Sequence, residues 1–142
     1  MRTAKDIIQY KGSDVRSVSP DDTVLHALGV MAEHEIGAVV VIDGGQLAGI
    51  LTERDYARKV VLAGRSSKDS AIRDVMTREV LCVPLERTID ECLALMTDKR
   101  VRHLPVIEQE RVVGLVSIGD LVRARIAEQE HVIEQLQQYI AG

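Results

Sequence analysis

The chain has 142 residues, 46% apolar and 28% charged, enough to bury a core as one domain or as two closely packed half-size units, so a disordered chain is excluded. With three Tyr and neither Phe nor Trp, it offers no ring platform for stacking single-stranded nucleic acid, and a net charge of −4 with both signs interspersed is not a surface that grips a phosphate backbone. The start, Met1-Arg2-Thr3-Ala4-Lys5-Asp6, lacks an apolar secretion core, and no apolar run reaches the ~18 residues of a membrane span, so a soluble cytoplasmic protein without membrane or nucleic-acid partners is expected.

In chain order, residues 3–11 read as a short helix and Arg16-Ser17-Val18 as an extended piece. Val24, Ala27, Leu28 and Met31 then recur at helical spacing, with Asp21 and Asp22 placed to help start the helix before Thr23. A β run follows, Ala38 to Ile42. The turn Asp43-Gly44-Gly45-Gln46 is a strong hairpin signal, leading into a second run, Leu47 to Leu51, after which Thr52 opens another helix. Residues 64–74 are small and polar and read as a linker. The order then repeats. Leu81-Cys82-Val83 is extended, and Ile89, Cys92, Leu93 and Met96 mark a helix. His103–Ile107 and Val112–Val116 are strands around the weaker turn Glu108-Gln109-Glu110-Arg111, and Ser117 opens the last helix. That helix runs over residues 119–140. Its apolar positions Val122, Ile126, Ile133, Leu136 and Ile140 fall in steps of three, four or seven, interrupted by Gln129; the stripe either packs back on the module or meets a partner subunit.

The recurrence is a gapless internal repeat at an offset of 65 residues. Val15 falls on Val80, Thr23 on Thr88, Leu28 on Leu93, Met31 on Met96, Gly49 on Gly114, Asp55 on Asp120 and Arg58 on Arg123. Two copies are too few for a solenoid. The expected fold class is therefore α+β, with two β-α-β-β-α units burying one face against each other and a long C-terminal helix. Residues 1–63 hold the N-terminal helix and first copy, 64–74 the linker, and 75–142 the second copy and final helix.

Chemistry concentrates in Gly49-Ile50-Leu51-Thr52-Glu53-Arg54-Asp55 and its match Gly114-Leu115-Val116-Ser117-Ile118-Gly119-Asp120. Glycine in a strand lets another group approach the backbone. A hydroxyl follows where strand gives way to helix, and then a carboxylate. A helix start offers free N–H groups to a phosphate, and a carboxylate can accept both hydroxyls of a ribose. The same spacing is also a capping box, although that motif prefers Glu or Gln at its last position, and the residues alone leave both readings open. Val101-Arg102-His103-Leu104-Pro105 offers two cations where the first copy has Ile36-Gly37-Ala38-Val39-Val40. Two related pockets would therefore bind anions unequally. Cys82 and Cys92 fit no disulfide framework and read as reduced, half-buried apolar residues. No His/Cys/acid cluster has metal-ligand spacing, and there is no Gly-rich phosphate loop or nucleophile elbow, so no catalysis is expected.

Over about residues 13–125 the sequence resembles a tandem pair of CBS domains, a Bateman module, of the small stand-alone bacterial type. The resemblance rests on the doubled Gly-apolar-apolar-Thr/Ser-x-x-Asp at 49–55 and 114–120, on Arg102-His103-Leu104-Pro105-Val106, and on Asp74-Val75-Met76-Thr77 leading into the second copy. It implies two pseudo-twofold-related repeats with adenosine ligands in the clefts between them: AMP, ADP, ATP or NAD(H), with S-adenosylmethionine ranked behind. Carried onto this chain, one cleft takes Thr52, Arg54 and Asp55 with Val80, Val101, Arg102, His103 and Leu104. In it Asp55 holds the ribose, Thr52, Arg54, Arg102 and His103 the phosphate, and the apolar strand residues the adenine. The other cleft takes Ser117 and Asp120 with Val15, Ile36, Gly37 and Ala38. Gly119 stands there in place of Arg54, and Gly37-Ala38 in place of Arg102-His103, which weakens phosphate binding. The resemblance further implies a regulatory sensor without catalytic activity, a homodimer, and a protein effector not identified by the sequence. The alternative is a ligand-free dimerisation or protein-interaction module.

Overall fold

The computed structural model describes residues 2–12 and 15–141. It holds two compact units. One contains the first repeat, residues 15–81, together with 109–113; the other contains the second repeat, residues 82–108 and 114–141, together with residues 2–12.

In the first-repeat unit, β1 (Ser17–Val18) lies parallel to β2 (Ala38–Asp43), and β2 is antiparallel to β3 (Gln46–Thr52). Helix α2 (Val24–His34) connects β1 to β2, and α3 (Glu53–Tyr56) follows β3 and runs into a π-helical turn over Ala57–Val61. The β2–β3 register shifts between Val41 and Ile42, leaving Ala48 as a bulge that sharpens the hairpin twist. The core is aliphatic, as the lack of Phe and Trp requires. Val18, Val24, Ala27, Met31, Val39, Val41, Leu51, Val60, Ile72, Val75 and Met76 form one buried cluster. Ala38 and Val40, on the opposite face of β2, are buried as well, which is why that strand reads as a continuous apolar run rather than an alternating one.

The second repeat has α5 (Ile89–Lys99), β4 (His103–Glu108) paired with β5 (Arg111–Ser117), and α6 (Ile118–Ala141). Every boundary from α2 to the end of β3 recurs 65 residues later, including the N-caps Thr23 and Thr88 and the left-handed C-caps Glu35 and Arg100. The first extended piece of the second repeat shrinks to one parallel bridge, Val83 with Val106, the counterpart of Val18 with Val41.

The segments flanking the repeats dock by a common pattern. Ala4 N donates to Arg87 O, Lys5 N to Leu85 O, and Ile89 N to Arg2 O; in the first-repeat unit Ile72 N donates to Asp22 O, Arg73 N to Pro20 O, and Val24 N to Ser70 O. Helix α1 (Ala4–Lys11) therefore serves the second repeat as α4 (Ile72–Val75) serves the first, although in chain order α1 precedes the first repeat. The polar stretch 64–74 is no loose tether. Ser67 O and Ser70 O accept the first N–H groups of α2, and Ser70 is buried. Thr23 alone caps α2 through its side chain, accepting from His26 N; Asp22 accepts from Ser19 N and Asp21 pairs with Arg73. Asp22 also lies 3.8 Å from His26 Nε2 in the first turn of α2.

Candidate functional site

The doubled strand–hydroxyl–carboxylate motif forms one station in each unit. In the first-repeat unit the extended backbone of β3 ends at Thr52, whose Oγ1 accepts from Asp55 N at 3.1 Å, while Asp55 Oδ2 accepts from Thr52 N at 3.0 Å. This is a reciprocal capping box with Asp at its last position. The other oxygen is engaged too: Asp55 Oδ1 accepts from Thr77 Oγ1 at 3.1 Å and lies 3.0 Å from Lys59 Nζ. Asp55 is 8% exposed, so a buried carboxylate is ordered through both oxygens and compensated by one lysine.

The station of the second-repeat unit has the same frame. Ser117 N donates to Asp120 Oδ2 at 2.8 Å, and Asp120 N donates back to Ser117 Oγ at 3.1 Å. Its cations differ in origin. Lys11 Nζ, from α1, donates to Asp120 Oδ2 at 2.8 Å and to Leu115 O at 3.0 Å, while Arg123 donates to Oδ1. Burial acts to raise the Asp120 carboxyl, but the hydrogen bonds from Lys11 and Ser117 N–H outweigh it and leave it below its ordinary 3.8.

The strand glycines have a role other than ligand approach. A Cβ on Gly49 would lie 2.7 Å from Thr77 O and 2.8 Å from Met76 Sδ; one on Gly114 would lie 1.8 Å from Ile8 Cδ1. What approaches these backbones is the docking segment of each unit: Met76-Thr77 on one, Ile8 on the other. The expectation that a glycine marks close approach holds, and the approaching group is the chain itself.

Each unit also brings its station beside its own preceding strand. Thr52 is the register partner of Ala38, and Glu53 N donates to Gly37 O; in the second-repeat unit Ile118 N donates to Arg102 O. Gly37 and Ala38 thus neighbour Thr52, and Arg102 and His103 neighbour Ser117, within single units. Arg54 is exposed on α3, Val80 and Val15 are half-buried in extended segments, and Ile36 is half-buried after α2. In the second-repeat unit Val101 and His103 are half-buried, Arg102 is exposed and Leu104 is buried. Lys59 and Lys11 were not singled out by the sequence reading, and Thr77 only within Asp74-Val75-Met76-Thr77, without a role at the site. Lys59 could have been, since it stands four residues after Asp55 on one helical face; Lys11, over a hundred residues from Asp120, had no local signal.

Among the described residues no group of three or more His, Cys, Asp or Glu could hold a metal ion, and no helix is long and apolar enough to cross a membrane. Cys82 is half-buried, Cys92 is fully buried rather than half-buried, and burial pushes both thiols up.

The CBS domain family model matches the chain twice, over residues 4–62 and 72–127. The chain belongs to the CBS domain family. Among its relatives, the Arabidopsis thaliana protein named CBS domain-containing protein CBSX3, mitochondrial, is 42% identical over 99% of this chain and 72% of its own length. A solved structure of a protein with CBS domains from Burkholderia ambifaria is 48% identical with a TM-score of 0.86, covering 89% of this chain and 96% of that one. The CBS domain pair of protein MJ0100, solved in complex with 5′-methylthioadenosine and S-adenosyl-L-methionine, is 25% identical with a TM-score of 0.77, over 89% of this chain and 97% of that one. The two matched segments meet the two repeats, so the chain is a tandem CBS pair, a type of module that serves regulation.

Proposed function

We propose that this CBS pair is a sensor that binds an adenosine-containing ligand, AMP, ADP, ATP or NAD(H), and regulates a partner protein without catalysing a reaction itself. The observation that carries the reading is the ordered Asp55 carboxylate, both of whose oxygens are oriented by Thr52, Thr77 and Lys59. Such a carboxylate is prepared to accept the two hydroxyls of a ribose, the sugar shared by every ligand named. The ribose exchanges with Lys59 at Oδ1, Thr52 and Arg54 meet the phosphates, and Val80 faces the adenine. That MJ0100 was solved with two adenosine compounds supports this ligand class. The reading assigns the protein to the cytoplasm, where Cys82 and Cys92 stay reduced.

Regulation follows from differential affinity: a ligand that binds one arrangement of the pair more tightly shifts the population toward it. The test is calorimetry of the full chain with AMP, ATP, NADH and S-adenosylmethionine, repeated on Asp55→Ala. At least one ligand is expected to bind, and Asp55→Ala to weaken it about tenfold or more, which is ~1.4 kcal/mol, while loss of the cap costs only about 1 kcal/mol of stability. Flat titrations with all four ligands would overturn the reading in favour of a ligand-free interaction module. Turnover of ATP or NADH above an Asp55→Ala control would overturn the absence of catalysis.

A further inference from the structure

The two stations draw their lysine from different places. At Asp55 it is Lys59, four residues further along the same helical run, and the docking segment adds only the neutral hydroxyl of Thr77. The position 65 residues after Lys59 is Ala124, which is 1% exposed and packs into the second-repeat unit. Helix α6 therefore offers no lysine there, and the ammonium at Asp120 comes from Lys11, the last residue of α1. The docking segment thus delivers a hydroxyl to one carboxylate and a cation to the other.

Both oxygens of Asp120 are taken by cations, Oδ2 by Lys11 Nζ and Oδ1 by Arg123 Nη2, each at 2.8 Å. Their departures have different consequences. Arg123 is 73% exposed and lies three residues along the same helix, so it turns out into water without moving another element. Gly119 gives it room: a Cβ there would lie 3.2 Å from Arg123 Nη1. Lys11 bonds Leu115 O as well, at 3.0 Å, and so fastens the end of α1 to both β5 and α6. When Lys11 leaves Asp120, α1 loses that fastening.

We propose that Lys11 is a built-in competitor for the Asp120 carboxylate, and that a ribose taking this carboxylate unlatches the end of α1 from the second repeat. The proposal rests on the reading that an ordered station carboxylate accepts ribose hydroxyls, and extends it from Asp55 to Asp120. A carboxylate oxygen has two acceptor sites, and on Oδ2 they are filled by Ser117 N–H and the Lys11 ammonium. Vicinal hydroxyls take a carboxylate one oxygen each, so the ribose needs the site that Lys11 holds. Linkage makes the effect reciprocal. Docked α1 lowers the apparent affinity for the ribose, and bound ribose weakens the docking of α1 by the same factor. At Asp55 the same exchange frees only Lys59, a residue of the station's own helical run.

The test titrates adenosine, which carries no charge, into the full chain by calorimetry, with Asp55→Ala silencing the first station. Adding Lys11→Met, which keeps an apolar stem and deletes the ammonium, is expected to tighten adenosine about fivefold, the upper end for a part-exposed ion pair. Lys5→Met, at an exposed position of the same helix, is expected to leave the affinity unmoved. In the unsubstituted chain, where no variant has to fold, saturating adenosine is expected to speed hydrogen exchange of the α1 amides about fivefold. Equal or weaker adenosine binding by Lys11→Met, equal tightening by Lys5→Met, or α1 exchange that adenosine leaves unchanged or slows would overturn the proposal. Weaker AMP binding with unchanged adenosine binding in Lys11→Met would make the lysine a phosphate contact instead. Adenosine binding that vanishes with Asp55→Ala, with or without Lys11, would overturn this proposal and leave the Asp55 reading standing. An unsubstituted chain that binds none of AMP, ATP, NADH and S-adenosylmethionine would remove the Asp55 reading itself.

Discussion

The first-repeat unit is completed by residues 70–77, which follow its last helix directly; the second-repeat unit is completed by residues 2–11, which precede the entire other repeat. The bonds made are nevertheless the same, donor for donor, and each segment ends with a side chain over a strand glycine, Met76 over Gly49 and Ile8 over Gly114. Entropy of chain closure rises only slowly with the length spanned, so one docking geometry tolerates two very different connections. The difference lies in the connection: one unit's docking segment follows its own repeat directly, and the other's is separated from its unit by the whole first repeat.

The largest test of that asymmetry removes residues 2–11. This takes away Ala4, Ile7 and Ile8, all buried, and with two isoleucines at ~1.5–3 kcal/mol each the loss is expected to reach about 4 kcal/mol or more. Hydrogen exchange should show β4, β5 and α5 losing protection while β2 and β3 keep theirs; uniform loss across both repeats would mean that the units do not open separately.

The glycines give a sharper comparison. By distance alone Gly114→Ala is worse, at 1.8 Å from Ile8 Cδ1, but that atom is the end of a side chain that can turn away. Gly49→Ala meets Thr77 O, a backbone atom bonded to Ile50 N at 2.9 Å. Gly49→Ala is therefore expected to cost about 2–3 kcal/mol and Gly114→Ala about 1–2 kcal/mol. Ile8→Val should rescue Gly114→Ala by deleting the clashing methyl, and Met76→Ala should fail to rescue Gly49→Ala. Denaturant midpoints of the four variants and two pairs decide it.

The Asp120 station responds to acid. The folded Asp120 carboxyl lies below its ordinary 3.8, so its contribution is present above that value and is lost as pH falls through the folded value. The thermal midpoint is expected to drop from about pH 4 downward, and Asp120→Asn to flatten part of that drop at the expense of stability near neutrality. Lys11→Met should flatten it as well, because the lysine is the stronger of the two groups holding the carboxylate charged. A wild-type curve level to pH 3 would mean that the Lys11–Asp120 pair contributes nothing.

Much of this was legible in the sequence because the repeat is gapless. A single offset transfers every cap and strand end from one copy to the other, so the helices at Thr23 and Thr88 and the strands at Ala38 and His103 could be read twice. The doubled Thr/Ser-x-x-Asp was legible as a motif but ambiguous in meaning, since a cap and a ribose acceptor require the same spacing. Docking of α1 was not legible. The 2–12 and 70–80 segments align at a different offset from the repeats and share almost no residue identity, so nothing local tells Ile8 that its partner is Gly114. Residues 64–74 read as the linker between copies, and composition did not show that small polar residues there also supply carbonyls to a helix start, as Ser67 and Ser70 do.

The smallest expected effect concerns the hairpins. Gly44 and Gly45 have φ of 58° and 81°, and Gln109 and Glu110, at the equivalent turn, have φ of 50° and 66°. A two-residue hairpin loop of this hand needs positive φ at both centres, which glycine adopts freely and side chains resist. The weaker turn signal of the second copy thus reflects strain accepted to keep the register of β4 and β5, which in turn places Ser117 and Asp120. Glu110→Gly is expected to raise stability by about 0.5–1 kcal/mol, and Gly45→Ala to lower it by a similar or larger amount. The gain is small because glycine also loosens the unfolded chain, offsetting part of the strain relieved. Equal denaturant midpoints for wild type and Glu110→Gly would show that the loop of the second hairpin is supported by contacts that compensate for its backbone.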